Sequence, residues 1–368
     1  MGFPDLITED GCEIQMQCNH LSHFLLTSLL WKSLERSEDG RVVCHTSGAR
    51  NSIFKPLDRT YLQPGESFGK DPFPGIQAWQ RYQQSKLANM VYHYALFDYT
   101  KKISSSVSYI DADNSIGFVS GNIGIQQAIK NAKKTGIGLV AVKKSGHYGL
   151  SSFYAEQAVK KNFMVFCFTN APPALAPYGA KKSLFGTNPI CFGVPTGKAP
   201  FILDASTSII NRGKIRRASK LSQKIPYGVA LDNNGNITTN PNKALIGTQL
   251  PIAGHKGSGL AWMVDILSGV FTGSSHGGKT RDPFDDFSGP QNMGHLFLVL
   301  NPKIFIGKNF LKEIKKNISL VKKLPKAKGF KTIFYPGERK NKIYKKNLNK
   351  DISIPSKILN EMNELNAF

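Results

Sequence analysis

The 368-residue sequence has few cysteines and no long apolar run. No two of its cysteines form a C-x-x-C pair, and their number is odd, so neither a disulfide framework nor a zinc site is supported. They are Cys12, Cys18, Cys44, Cys167 and Cys191. No stretch approaches the ~18 consecutive apolar residues that a membrane-spanning helix needs. We therefore predict neither a metal site nor a membrane partner.

The first ten residues also lack the features of a targeting signal. They are acidic rather than basic, with Asp5, Glu9 and Asp10, which argues against a secretory or organellar leader. The chain begins Met-Gly like a myristoylation signal, but Leu6 stands where that signal requires serine or threonine. A cytoplasmic location is the expectation.

Acidic residues are scarce, because 25 Asp and Glu stand against 48 Lys and Arg, which gives a net charge of +23. Such an excess can indicate nucleic-acid binding, since lysine and arginine neutralise phosphates. In residues 301–350, however, the lysines are interspersed with apolar residues such as Phe305 and Ile314. This pattern favours helices that carry lysines on their solvent face. We expect no nucleic-acid partner, although the charge attracts anionic ligands.

One stretch places a titratable side chain at the end of an apolar run. Residues 138–142 are apolar and rich in β-branched side chains, which predicts a buried strand. Gly146 and Gly149 allow a tight turn around His147, and a helix is predicted over residues 150–159. Active sites of α/β proteins gather at such strand-to-helix turns. His147 is therefore a candidate catalytic base, with a buried structural histidine as the alternative.

Residues 1–99 form one compositional unit, 100–106 are a polar junction, and the pattern restarts at residue 107. In the first unit, Tyr82 and Lys86 are four residues apart on a predicted helix. They therefore share one face, where the lysine ammonium favours the phenolate form of the tyrosine.

With Asn19 and Ser47, this pair resembles the short-chain dehydrogenase/reductase family in its retinol-dehydrogenase-like branch. The resemblance implies that Ser47 polarises the substrate oxygen and Asn19 relays protons. It also implies that Tyr82 is the acid/base and Lys86 its partner. That family's glycine-rich strand-turn-helix, which seats a pyrophosphate, would precede residue 1. We therefore expect a partial Rossmann-like fragment whose chemistry is silent.

Two later turns suit an anionic ligand. Ser206, Thr207 and Ser208 follow an apolar strand, where helix capping is as good an explanation as phosphate binding. His255 and Lys256 lie in a glycine-rich turn that opens a long apolar helix, which is a second possible anion site.

The order of these motifs resembles the malate/L-lactate dehydrogenase family of non-Rossmann 2-hydroxy-acid dehydrogenases across residues 107–368. The motifs lie at residues 144–149, 186–189, 203–208, 213–215, 255–260, 291–295 and 336–338. The resemblance implies an α/β fold of its own and hydride transfer with NAD or NADP. It also implies a homodimer whose active site lies between the subunits.

The same resemblance assigns roles to individual residues. It makes His147 the proton acceptor, and alcohol oxidation does need a base near neutrality while the nicotinamide takes the hydride. The family's N-terminal helical segment, with an arginine suited to the substrate carboxylate, would precede residue 107, where the short-chain-like fragment stands. The implied cofactor-binding residues are Ser206, Thr207, Ser208, His255, Lys256, Gly337 and Glu338.

We therefore expect an α/β, NAD(P)-dependent oxidoreductase that acts on a small 2-hydroxy or 2-oxo acid. Two alternatives stay open. One is a catalytically inactive fusion that acts as a binding or scaffold module, and the other is a short-chain reductase that uses Tyr82 and Lys86.

Overall fold

The computed structural model describes residues 7–10, 12–35, 82, 84–86, 100–283, 285–350, 354 and 356. The chain divides into two compact units, Met1–Asp98 and Tyr99–Phe368. Ser47 lies outside the described residues. None of the described helices has both the length and the apolar character that a membrane crossing requires.

The described part of the first unit is mainly helical. Helix α1 (Ile14–Met16) leads into a π-helical turn, Gln17–Leu21, and then into α2 (Ser22–Glu35). The Glu13 carboxylate caps α1 by accepting a hydrogen bond from the Met16 N–H at 2.8 Å. The described residues of this unit contain no parallel sheet, so the Rossmann-like fragment stays a prediction.

The second unit is built on a mixed sheet that has seven strands within the described residues, in the order β1-β2-β3-β9-β4-β5-β6. Strands β2 and β3 are parallel, and all other neighbours are antiparallel. The strands are β1 (Thr100–Lys102), β2 (Val107–Asp111), β3 (Ile137–Ser145), β4 (Met164–Thr169), β5 (Ile190–Val194), β6 (Phe201–Ala205) and β9 (Met293–Leu300). A small antiparallel pair is formed by β7 (Ala230–Leu231) and β8 (Thr248–Gln249).

Helices connect these strands or follow the last of them. They are α3 (Gly117–Thr135), α4 (Ser151–Lys160), α5 (Arg212–Lys220), α6 (Pro241–Ile246), α7 (His255–Asp265), α8 (Lys303–Ile306), α9 (Phe310–Lys323) and α10 (Glu338–Asn347). Helix α7 continues as a π-helical turn, Ile266–Val270, and α8 is followed by a 3-10 turn, Gly307–Asn309. Asn211 caps α5 by accepting from the Lys214 N–H at 2.8 Å, so the serines and threonine at 206–208 are not its cap.

Helix α3 packs closely against β3 and β9. Its buried apolar residues recur at i, i+3, i+4 and i+7, which is the spacing of one helical face. They are Ile125, Ala128, Ile129 and Ala132. The approach is close because Gly138 of β3 has no side chain. A Cβ there would lie only 1.9 Å from the Ala128 carbonyl oxygen.

Successive residues of the sheet face two different helical layers, as strand geometry requires. On one face, the Phe297 ring lies against Gly124 of α3. On the other face, Phe168 and Leu296 form a buried cluster with Val264 of α7. The second unit is therefore an α/β structure with the sheet between helices, which confirms the predicted α/β class.

Candidate active site

The turn that carries His147 joins the end of β3 to α4. The register of β3 against β9 shifts between Val142 and Ser145, and Lys144 has a φ of 48°, so the chain leaves the sheet here. Gly117, the first residue of α3, touches this turn. A Cβ on Gly117 would lie 2.1 Å from the Gly146 carbonyl oxygen. The predicted strand, turn and helix are confirmed, and they present His147 at the surface.

His147 is held by its backbone while its ring stays accessible. Its N–H donates to Gln291 Oε1 at 2.8 Å, and its Nδ1 accepts from the Gly149 N–H at 3.1 Å. A nitrogen that accepts a hydrogen bond is unprotonated, so the neutral ring carries its proton on Nε2. The side chain is exposed on one side, but the protein around it removes enough water to lower the pKa of His147 below its usual value.

A second histidine, His295, is fully buried beside the same turn. Its Nε2 lies 2.7 Å from Ser145 Oγ, and its Nδ1 lies 2.8 Å from Thr169 Oγ1. Burial, followed by the nearby charge of His147, lowers the pKa of His295 to about 3. Sequence reasoning used the motif at 291–295 for the family resemblance but gave His295 no role.

The predicted hydroxyl turn lies at the end of β6, where its hydroxyls bond to backbone oxygens. Thr207 Oγ1 donates to the Thr187 carbonyl at 3.0 Å, and Ser208 Oγ donates to that of Ile210 at 2.7 Å. Ser206 is half-buried and reaches the Ser208 carbonyl at 3.2 Å. These three side chains therefore shape the turn, and Ser206 is the most accessible of them.

The turn before His255 and Lys256 lies beside this hydroxyl turn. The Ile252 N–H donates to the Thr207 carbonyl at 2.9 Å. His255 and Lys256 are the first two residues of α7, and both side chains are exposed. The structure thus brings together two segments that are about 50 positions apart in the sequence, 206–208 and 255–256.

Gly337 and Glu338 lie at the other end of β6. The Ile202 N–H donates to the Pro336 carbonyl at 3.0 Å, and Gly337 has a φ of 88° that favours glycine. Glu338 is buried. Burial opposes its ionisation, but hydrogen bonds from Lys322 and Lys342 hold the pKa of Glu338 below its usual value.

A cavity of about 550 Å³ lies between α4, the turn from β5 to β6, and α10. Its volume is within the usual range of small-molecule sites. Three lysines and one carboxylate line it, together with Gly337. These charged residues are Lys160, Lys198, Lys340 and Glu156. We call this cavity the α4 groove.

Side chains at the start of α4 link the α4 groove to the His147 turn. Lys340 Nζ donates to Ser152 Oγ at 3.1 Å, and the Ser152 N–H donates to Asp204 Oδ2 at 2.8 Å. Sequence reasoning missed Lys340 and Asp204 as site residues, because both contacts join distant parts of the chain. The start of β6 therefore borders the α4 groove, and its end lies on the His147 side.

Three of the residues expected to act in the first unit are described. Asn19 Nδ2 donates to Ser85 Oγ at 3.0 Å, and Lys86 Nζ lies 5.5 Å from the centroid of the Tyr82 ring. Tyr82 and Lys86 therefore meet as their spacing predicts.

Comparison with known proteins identifies the family. The family described as malate/L-lactate dehydrogenase matches residues 75–363. The malate/(S)-sulfolactate dehydrogenase of Methanothermus fervidus is 35% identical over 268 residues, which is 72% of this chain and 77% of that protein. The L-sulfolactate dehydrogenase of Methanocaldococcus jannaschii is 36% identical over 270 residues, covering 72% of this chain and 76% of that protein.

Solved structures of similar proteins point to the same family. The sulfolactate dehydrogenase structure from Methanocaldococcus jannaschii has a TM-score of 0.65 at 35% identity, covering 72% of this chain and 76% of that one. The malate dehydrogenase structure from Pyrococcus horikoshii has a TM-score of 0.63 at 34% identity, covering 72% and 74%. These comparisons give no support to a short-chain dehydrogenase fragment, and the family match itself includes Tyr82 and Lys86. The chain belongs to the malate/L-lactate dehydrogenase family.

Proposed function

We propose that this protein transfers a hydride between NAD or NADP and a small 2-hydroxy or 2-oxo acid, with His147 as the proton acceptor. Its relatives are dehydrogenases named for malate and sulfolactate, which are acids of this class. The observation that carries the proposal is the state of His147. It is an exposed, neutral imidazole at the turn between β3 and α4.

The chemistry of His147 fits oxidation of an alcohol. The substrate hydroxyl loses its proton to the ring, and in the reverse reaction the ring returns it. The lowered pKa keeps the ring neutral near pH 7, which is the form that accepts a proton. To accept the proton, Nδ1 must exchange its hydrogen bond from the Gly149 N–H for one from the substrate hydroxyl.

The cofactor would lie along β6, between the His147 turn and the α4 groove. When bound, its nicotinamide supplies the hydride acceptor or donor. Five residues of extended strand cover about 16 Å, and predicted cofactor segments lie at both ends of β6. The lysines of the α4 groove suit an anionic nucleotide, because each adds an ammonium to a cavity of suitable size.

In this arrangement the two ends of the cofactor meet different residues. The nicotinamide half contacts residues at the end of β6 and the start of α7. The adenosine half contacts Gly337, Glu338 and Lys340. Gly337 packs against the backbone of β6, where a Cβ would lie 2.9 Å from the Pro200 carbonyl oxygen, and Glu338 fixes the start of α10 through its lysine contacts. The residues of the nicotinamide half are Ser206, Thr207, Ser208, His255 and Lys256.

We also propose that the protein forms a homodimer through α7 and the π-helical turn after it. Trp262, Ile266 and Val270 are spaced four residues apart on this helix and are 60%, 46% and 52% exposed. An exposed apolar stripe that carries no charge suits a second copy of the same stripe, because an isologous dimer buries a surface against itself.

Replacing His147 tests the proton acceptor. We expect His147→Asn to lower kcat for reduction of 2-oxo acids by about 10²–10⁴-fold, since general acid–base catalysis contributes that much. The dissociation constant of NADH or NADPH should stay within about twofold. Turnover is measured from the loss of absorbance as NADH or NADPH is oxidised. Binding is measured by titrating the fluorescence of the reduced cofactor.

His23→Asn, which removes an exposed histidine of α2, is the matched control and should keep full activity. Turnover that survives His147→Asn but is lost in Tyr82→Phe would instead assign the chemistry to Tyr82 and Lys86. A wild-type protein that binds neither cofactor would support the inactive binding module.

The pH profile provides a second test. Oxidation needs neutral His147, and a lowered pKa keeps that form populated to more acidic pH. We therefore expect kcat/KM for oxidation to fall on the acid side with an apparent pKa below about 6.5, the ordinary value of histidine. An acid limb at or above that value would contradict the assignment, provided the cofactor alone shows no titration there.

Substitution in the α4 groove tests the cofactor position. Lys340→Ala should raise the dissociation constant of NADH or NADPH about 10- to 100-fold, because one hydrogen bond to a charged group contributes about 1.5–3 kcal/mol. Lys345→Ala removes an exposed lysine of the same helix and should leave binding unchanged. Equal effects of both substitutions, measured by fluorescence titration, would place the cofactor elsewhere.

Sedimentation velocity tests the homodimer. We expect wild-type protein to sediment as a dimer and Trp262→Asp as a monomer, since a carboxylate buried in an apolar contact is costly. Phe305→Asp replaces a ring that is 82% exposed on α8 and should stay dimeric. A monomeric wild type, or dissociation of both variants alike, would contradict the proposed interface.

A further inference from the structure

His295, on β9, contacts the chain on both sides of His147. Its side chain is 0% exposed. Its Nε2 lies 2.7 Å from Ser145 Oγ, two residues before His147. Its ring stacks on Tyr148, the residue after His147, with centroids 4.4 Å apart and planes inclined by 12°. One buried side chain thus touches both flanks of the turn.

The other ring nitrogen of His295 ties the turn to β4. Nδ1 lies 2.8 Å from Thr169 Oγ1, and that hydroxyl is also 3.0 Å from the Asn170 carbonyl and 3.2 Å from that of Gly294. Each hydroxyl can donate or accept, and one neutral tautomer of the ring donates to Thr169 Oγ1 while the other donates to Ser145 Oγ. In either tautomer one ring nitrogen donates and the other accepts, so both nitrogens of the neutral ring are satisfied.

This hydrogen-bonded chain extends to α3. Ser145 Oγ lies 2.7 Å from Ser120 Oγ, and a hydroxyl can donate to one neighbour while it accepts from another. The resulting chain of hydrogen bonds joins α3, β3, β9 and β4. It lies at the ends of the central strands, where the His147 turn leaves the sheet. Every hydroxyl in it is buried, so breaking one link leaves polar groups without water.

Tyr148 is fixed by further contacts. Its ring stacks on Tyr154 with centroids 4.7 Å apart, and its hydroxyl lies 2.7 Å from Ser151 Oγ. The Tyr154 hydroxyl donates to the Tyr148 carbonyl at 2.6 Å. His147 therefore sits between a fixed Ser145 and a fixed Tyr148, and its own side chain is exposed.

We propose that His295 is the positioning residue of the proton acceptor, holding the turn so that the His147 ring faces the substrate. The inference rests on the proposed role of His147 and extends it to a residue that acts through the turn. Burial lowers the pKa of His295 to about 3, so its ring stays neutral. Its hydrogen bonds therefore stay unchanged while His147 gains and loses its proton.

His295→Phe tests the proposal, because it keeps a ring to stack on Tyr148 but removes both hydrogen bonds. We expect kcat to fall about 10²-fold, which is the effect of a displacement of about 1 Å at a catalytic group. Cofactor affinity should stay within about twofold. His295→Gln, whose amide both donates and accepts, should keep kcat within about tenfold of wild type.

The pKa of His147 provides a readout that does not depend on turnover. In full-length protein labelled at histidine Cε1, NMR titration should show this pKa rising toward its ordinary value in His295→Phe, as the loosened turn admits water. Asn131→Leu is the control. It removes a buried amide that donates to Ser108 Oγ at 3.0 Å, and it should leave both the pKa of His147 and kcat unchanged.

A folded His295→Phe protein with wild-type kcat and an unshifted His147 would overturn the proposal. If that variant does not fold, Ser145→Ala and Thr169→Val, which each remove one hydroxyl partner, give the same two readouts. If wild-type protein shows no turnover, the proposed function fails. The NMR titration then still decides whether His295 positions His147.

Discussion

The close packing of α3 against β3 is the contact on which the site depends. At Gly138 and Gly117, an added Cβ would lie 1.9 Å and 2.1 Å from backbone oxygens of Ala128 and Gly146. Any larger side chain would push the helix away from the strand. Because α3 is held at both points, the end of β3 is held too, and the turn that follows has a defined starting position.

Two histidines near this turn have opposite environments, and solvation explains the difference. His295 has both nitrogens bonded to hydroxyls in a buried site, where an added proton would have no water to stabilise it. His147 has a free edge at the surface and a backbone amide on Nδ1. The buried ring can therefore only hold structure, while the exposed ring can exchange a proton with a ligand.

Local pattern predicted the strand at 138–142, the turn glycines and His147, because neighbours in sequence determine those features. It could not place β9 between β3 and β4, since that requires pairing residues about 150 positions apart. The contact of Lys340 with Ser152 was hidden for the same reason. The resemblance supplied the predicted cofactor residues, but the structure was needed to show that they lie at opposite ends of β6.

Charge is distributed differently at the two ends of the site, although the chain carries a net +23. Lys143 and Lys144, just before His147, both pair with Asp111, at 2.9 Å and 3.6 Å. Burial raises the pKa of Asp111, but the hydrogen bonds from Lys143 and the Asp113 N–H and the charges of the two lysines together outweigh it and lower the pKa. Asp111 thus offsets one of the two positive charges near His147, and desolvation lowers the pKa of His147. In the α4 groove three lysines face a single carboxylate, and that excess is available to an anionic ligand. The positive charge is therefore partly paired beside His147 but is in excess in the α4 groove at the other end of β6.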